Sequence, residues 1–96
     1  MTTSDDGAAT SAADLAAAAA GDQGAWDRLV DRHAQWVWST ARGFGLGAVA
    51  AAQVCGVAWA RLADHLDEVR TDEQLRRWLG TIASHEARRV VCARRV

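Results

Sequence analysis

Proline is absent from this sequence, so nothing in it imposes the sharpest kind of helix break. Residues that favour strands are also sparse: the β-branched types are thinly spread and aromatics make up only 6% of the chain. No apolar run approaches the roughly 20 residues needed to span a bilayer. No basic leader precedes the Ala-rich N-terminal stretch, so a secretory signal is not expected and a cytoplasmic location is. Cysteine is limited to Cys55 and Cys92, two isolated thiols without a CxxC pair or metal-ligand spacing. They read as buried small apolar residues in a reducing compartment. What is present is alanine, which dominates an apolar half of the composition. High alanine without proline predicts helices throughout, around a thin and closely packed core. Ninety-six residues suffice for one such domain.

The formal net charge of −1 conceals an asymmetry. Residues 1–22 carry Asp5, Asp6, Asp14 and Asp22 and no base, whereas residues 76–96 carry Arg76, Arg77, Arg88, Arg89, Arg94 and Arg95 against Glu86. A basic end on a nearly neutral chain suggests one face aimed at an anion, or else a solvated helix face.

Residues 1–11 lack periodicity and read as a disordered tail before a helical domain over 12–96. Ser11 with Asp14 resembles a capping box opening a short helix to about residue 20, which Gly21 ends. A second helix is expected over 23–43, with Trp26, Leu29, Val30, Val37, Ala41 and Phe44 on one face. Gly43, Gly45 and Gly47 mark a turn. A third helix covers 48–66, with Val54, Cys55, Ala58, Trp59, Leu62 and Leu66 inward. After a charged loop, Thr71 and Gln74 form a second capping box, opening a helix to about 93 that buries Leu75, Trp78, Leu79, Ile82 and Val90. Its other stripe carries Arg77, Ser84, Arg88 and Arg95, spaced seven, four and seven residues apart. The fold class predicted is an all-α compact bundle of three to four helices.

No catalytic constellation is present. His33, His65 and His85 lie on three expected helices without an HxxxH partner, no serine sits in a nucleophile elbow, and no strand precedes a Gly-rich loop. No enzyme activity, metal or cofactor is therefore expected. Trp36 and Trp38 stand about 200° apart around one helix, so one of them marks a partner surface or covers the first helix. Arginines on one face beside a loop suit single-stranded nucleic acid, since guanidinium groups neutralise phosphates and stack on bases.

The run DLAAAAAGDQGAWDRLVDRHAQWVWSTARGFGL (14–46) resembles the start of region 2 of actinobacterial extracytoplasmic-function sigma factors. So does WARLADHLDEVRTDEQLRRWLGTIASHEARRVVCARR (59–95), with its L-x-x-W-L-x-x-I-A-x-H-E core. The resemblance implies a transcription-initiation domain that binds the β′ clamp helices of core RNA polymerase and melts the −10 promoter element. The loop Leu66 to Leu75 would take a flipped base of the single-stranded non-template strand. Arg77, Ser84, His85, Arg88, Arg89 and Arg95 would line that strand. The D-x-x-D-x-x-Q pattern by which the family engages the clamp is here Ala50, Gln53 and Gly56, a degenerate set that predicts weaker polymerase binding. The family's −35-reading helix-turn-helix domain is not within these residues, so the chain is expected to be a piece of a longer factor or a stand-alone domain. The alternative is a degenerate sigma-like interaction module that holds another protein, such as an anti-sigma factor.

Overall fold

The computed structural model describes residues 12–94; the expected tail at 1–11, including Ser11 of the first capping box, and Arg95 lie outside the described residues. Four α-helices make up the fold, and no strand occurs among the described residues. They are α1 (12–19), α2 (Gln23–Arg42), α3 (Ala48–Asp64) and α4 (Asp72–Arg94), with a 3-10 turn at Leu66–Glu68. Within these residues no helix is long and apolar enough to cross a membrane.

The joints follow from local chemistry. At the end of α1 the Gly21 N–H donates to the Ala18 carbonyl (3.0 Å) and the Asp22 N–H to that of Ala17 (2.9 Å). This paired closure needs a left-handed residue, and Gly21 supplies it at φ 102°. Asp22 then caps α2, its carboxylate accepting from the Ala25 N–H at 3.2 Å. Gly45, at φ 79°, turns the chain between α2 and α3 and lets Leu46 drop into the core. At α4 half of the expected box forms: Gln74 N–H donates to Thr71 Oγ1 at 3.1 Å, while Gln74 Oε1 accepts at 3.0 Å from Arg70 N–H, one residue before the cap, in place of the Thr71 N–H.

α2, α3 and α4 pack on one another in all three pairings. The largest fully buried side chains are Leu15, Leu29, Leu62, Leu75, Leu79, Val37 and Val54. Between them Ala25, Ala41, Ala51, Ala58, Ala83 and Ala87 are completely inaccessible, which lets the helices approach closely. Each leucine buried in this way contributes about 1.5–3 kcal/mol. α1 is anchored by Leu15, buried in the core, and tied to α2 by Asp14, whose buried carboxylate meets Arg28 Nη2 at 3.0 Å and Arg32 Nη1 at 3.5 Å.

Trp26, Trp59 and Trp78, expected inward, sit at the rim of the core and are only partly buried. Leucines, valines and alanines fill the interior and the rings cover its edges; of the two thiols expected buried, Cys55 is half-buried and Cys92 is exposed near the end of α4. Trp26 and Trp59 meet edge to face at 6.1 Å, and Trp78 lies 5.9 Å from the His65 ring. The α3 helix also ends earlier than expected, at Asp64, because the chain tightens into the 3-10 turn containing Leu66.

Candidate nucleic-acid interface

α4 presents its outward ridge between two depressions. The first, of about 400 Å³, is a groove between α2 and α4 lined by Trp36 and Thr40 from α2 and by Arg76, Arg77, Gly80, Thr81, Ser84 and Arg88 from α4. No acidic side chain lines it. The second, of about 380 Å³, lies beside the loop and is lined by Glu68, Val69, Gln74, Arg77, Trp78, Thr81 and Ile82. Arg77 and Thr81 border both, so the two depressions are neighbours across one ridge.

Of the residues read from the sequence, Arg77, Ser84 and Arg88 come together in the groove. Arg77 is exposed and its Nη2 donates to Glu73 Oε1 at 3.0 Å, one turn back. A fully solvated pair of this kind is weak and gives way readily to a phosphate. Arg88 rests its guanidinium 5.8 Å from the centre of the Phe44 ring, which holds it at the far end of the groove. Ser84, half-buried, faces the groove between them.

His85 and Arg89 are exposed but do not line the groove. One residue on from Ser84 and Arg88, each is turned by about 100° around the helix. Arg89 instead forks onto Glu86, with Nη2 to Oε1 at 3.1 Å and Nε to Oε2 at 3.3 Å. Glu86 is itself buried, and Arg61 of α3 approaches it to 4.0 Å. The Arg89 hydrogen bonds hold the Glu86 carboxyl below its ordinary pKa, against the opposing effect of burial. The Arg89 fork therefore stays within α4, and Arg61 is the side chain that reaches Glu86 from α3.

Sequence reasoning singled out Trp36 and Trp38 as a pair of which one marks a surface, but it did not place Trp36, Thr40, Arg76, Gly80 or Thr81 in this groove. Trp36 is the more exposed of the two uncertain indoles, at 38%. Its Nε1–H donates to the Arg76 carbonyl at 3.1 Å, and the Arg76 guanidinium stands 4.9 Å from its ring centre. Gly80 admits the ring: a Cβ there would fall 3.2 Å from Cζ2 of the indole. The available signal was the small pair Gly80 and Ser84 at i,i+4 on an otherwise Arg-rich stripe.

The loop expected over Leu66 to Leu75 is shorter in the structure, because the 3-10 turn takes its start and α4 begins at Asp72. Val69 is buried and pins the loop to the core, while Gln74 is occupied in the cap. On α3 the three positions read against the clamp-binding pattern separate. Gln53 and Gly56 are exposed, but Ala50 is buried in the core, and its side chain cannot meet a partner.

The histidines differ. His33 is buried on α2, its Nε2 3.0 Å from Asp72 Oδ1 at ion-pair distance but without hydrogen-bond alignment. Burial pushes its pKa below the ordinary value, with Arg32 and Arg76 adding to the effect and Asp72 opposing it. His65 is exposed, with Nδ1 2.8 Å from the Arg61 carbonyl oxygen. Among the described residues no three His, Cys, Asp or Glu side chains gather as metal ligands do. Compared with protein families, with curated proteins and with solved structures, the chain matches none.

Proposed function

We propose that this chain is a sigma factor region 2-like domain that grips the melted −10 strand of a promoter together with core RNA polymerase in the cytoplasm, without catalysing a reaction. The observation that carries the reading is the ridge of α4. Arg77 and Arg88, with Ser84 between them, border an acid-free groove, and across the ridge beside the loop lies a depression with Val69, Trp78 and Ile82 among polar neighbours that include Glu68. Cations that track a backbone next to a recess for an unstacked base are the elements single-strand binding requires. The resemblance of residues 14–46 and 59–95 to region 2 names the strand and the polymerase.

The test is fluorescence anisotropy on a −10-like single strand at several salt concentrations, with Arg77→Ala and Arg88→Ala compared with the parent. Each phosphate contact contributes about −0.7 to the slope of log affinity against log salt, so two contacts give roughly −1.4. Both variants are expected to bind more weakly and with a shallower slope. Binding that is absent at low salt, or indifferent to both substitutions, leaves the arginines as a solvated face.

A second reading is favoured by α3. Up to Ala60 its exposed positions include Val49, at 76% the most open large apolar side chain among the described residues, with Ala52, Gln53, Gly56 and Ala60, and charge enters only with Arg61 and Asp64 in the last turn. An outer face uncharged over its first turns, in place of the family's acids, suits a sigma-like module that holds another protein, such as an anti-sigma factor. Retention of core RNA polymerase on the immobilised chain favours the first reading, and its absence favours the second.

A further inference from the structure

We infer that Trp36 is a second base-stacking position, so that a strand crossing α4 seats one base beside the loop and another on this indole. The inference rests on the single-strand reading above and adds to it a residue on a different helix. Three observations carry it. Trp36 keeps 38% of its surface open on a chain that otherwise tucks its indoles against the core rim. Its one polar atom is already satisfied by the Arg76 carbonyl at 3.1 Å, which fixes the ring without using its open surface. The groove around it offers guanidinium groups of Arg76, Arg77 and Arg88 and hydroxyls of Thr81 and Ser84, with no carboxylate among its lining. Asp72 and Glu73 line an adjoining depression together with Trp36, Arg76 and Arg77, so carboxylates border the indole on its α4 N-terminal side and the anion path runs from Trp36 toward Ser84 and Arg88.

Gly80 brings the ring against α4, because a Cβ at that position would press on Cζ2 at 3.2 Å. The Arg76 guanidinium, 4.9 Å from the ring centre, can extend a stack made on the indole. The outward ridge of Arg77 and Thr81 separates this position from the loop depression, and a helix with its side chains is only about 10–12 Å across. Two bases of one strand can therefore settle on either side while the phosphates between them pass over Arg77.

The experiment is a coupling measurement on the intact chain at low salt. A labelled −10-like strand is prepared with a single abasic site at each position in turn. Each strand is titrated with the parent, Trp36→Leu, Trp36→Phe and Gly80→Ala, after circular dichroism has confirmed the helical fold of each. The expected result is a roughly tenfold loss for Trp36→Leu. One abasic position should weaken the parent by a similar factor and leave Trp36→Leu unaffected. Trp36→Phe should restore most of the affinity, and Gly80→Ala, which displaces the ring without removing it, should weaken binding through the same position. A loss that is equal across all abasic strands, or no loss, assigns Trp36 to helix packing and overturns the inference while leaving the single-strand reading in place. A parent that binds no strand at all overturns both.

Discussion

His33 and Asp72 join the middle of α2 to the first turn of α4, with Nε2 3.0 Å from Oδ1 and the imidazole buried. Burial is the largest influence on this ring, and it favours the neutral form. The unfolded chain therefore takes up a proton near pH 6.5 that the folded chain takes up only at lower pH. Stability should be level above about pH 6.5 and fall as the pH drops below it. Denaturant midpoints measured from pH 8 to pH 5 should show this fall in the parent, and His33→Phe should abolish it. A second decline should begin below about pH 4.5, where protonation of Glu86 releases the Arg89 fork and the Arg61 contact.

Two helix-interior glycines should respond differently to alanine. Gly56 of α3 is exposed, and nothing lies within 4 Å of an added Cβ. Gly56→Ala should stabilise the fold by up to about 1 kcal/mol through helix propensity alone. Gly80→Ala gains the same propensity but pushes on Trp36, so its gain should be smaller or reversed. Urea titration of the two variants side by side measures the difference.

The α4 cap should be worth about 1 kcal/mol. Thr71→Ala removes the acceptor that holds the Gln74 N–H at 3.1 Å and leaves an orphan donor at the helix start. Thr71→Ser keeps the hydroxyl and should restore most of the loss in the same urea experiment.

Polymerase binding should be improved from two positions and not three. Gln53→Asp with Gly56→Gln restores an acid and an amide on the exposed face of α3, and should strengthen retention of core RNA polymerase over the parent. Adding Ala50→Asp should lower thermal stability without a matching gain in binding, because that side chain faces the core. Equal retention of the parent and the double variant would show that the acid-poor face is no handicap.

The sequence alone determined the helices and most of their ends, though not that of α3, which stops at Asp64 where the chain tightens into the 3-10 turn. The expected span of 23–43 became Gln23–Arg42, the span from 48 began at Ala48, and the box at Thr71 and Gln74 opened α4. These features depend on neighbours within one or two turns: helix propensity, glycines able to take positive φ, and a hydroxyl three residues before an N–H. The stripe of Arg77, Ser84 and Arg88 was legible for the same reason, since helical spacing alone puts them on one face. Only the tertiary structure decided which residues the bundle would cover. It buried Ala50, His33 and Glu86, drew Arg89 aside onto Glu86, and left the three expected core tryptophans at the rim. Spacing on one helix cannot foresee these outcomes, because they depend on how closely its neighbour packs. Trp36 and Gly80 show it most directly. An indole on α2 finds its place only because α4 lacks a side chain where the two helices meet.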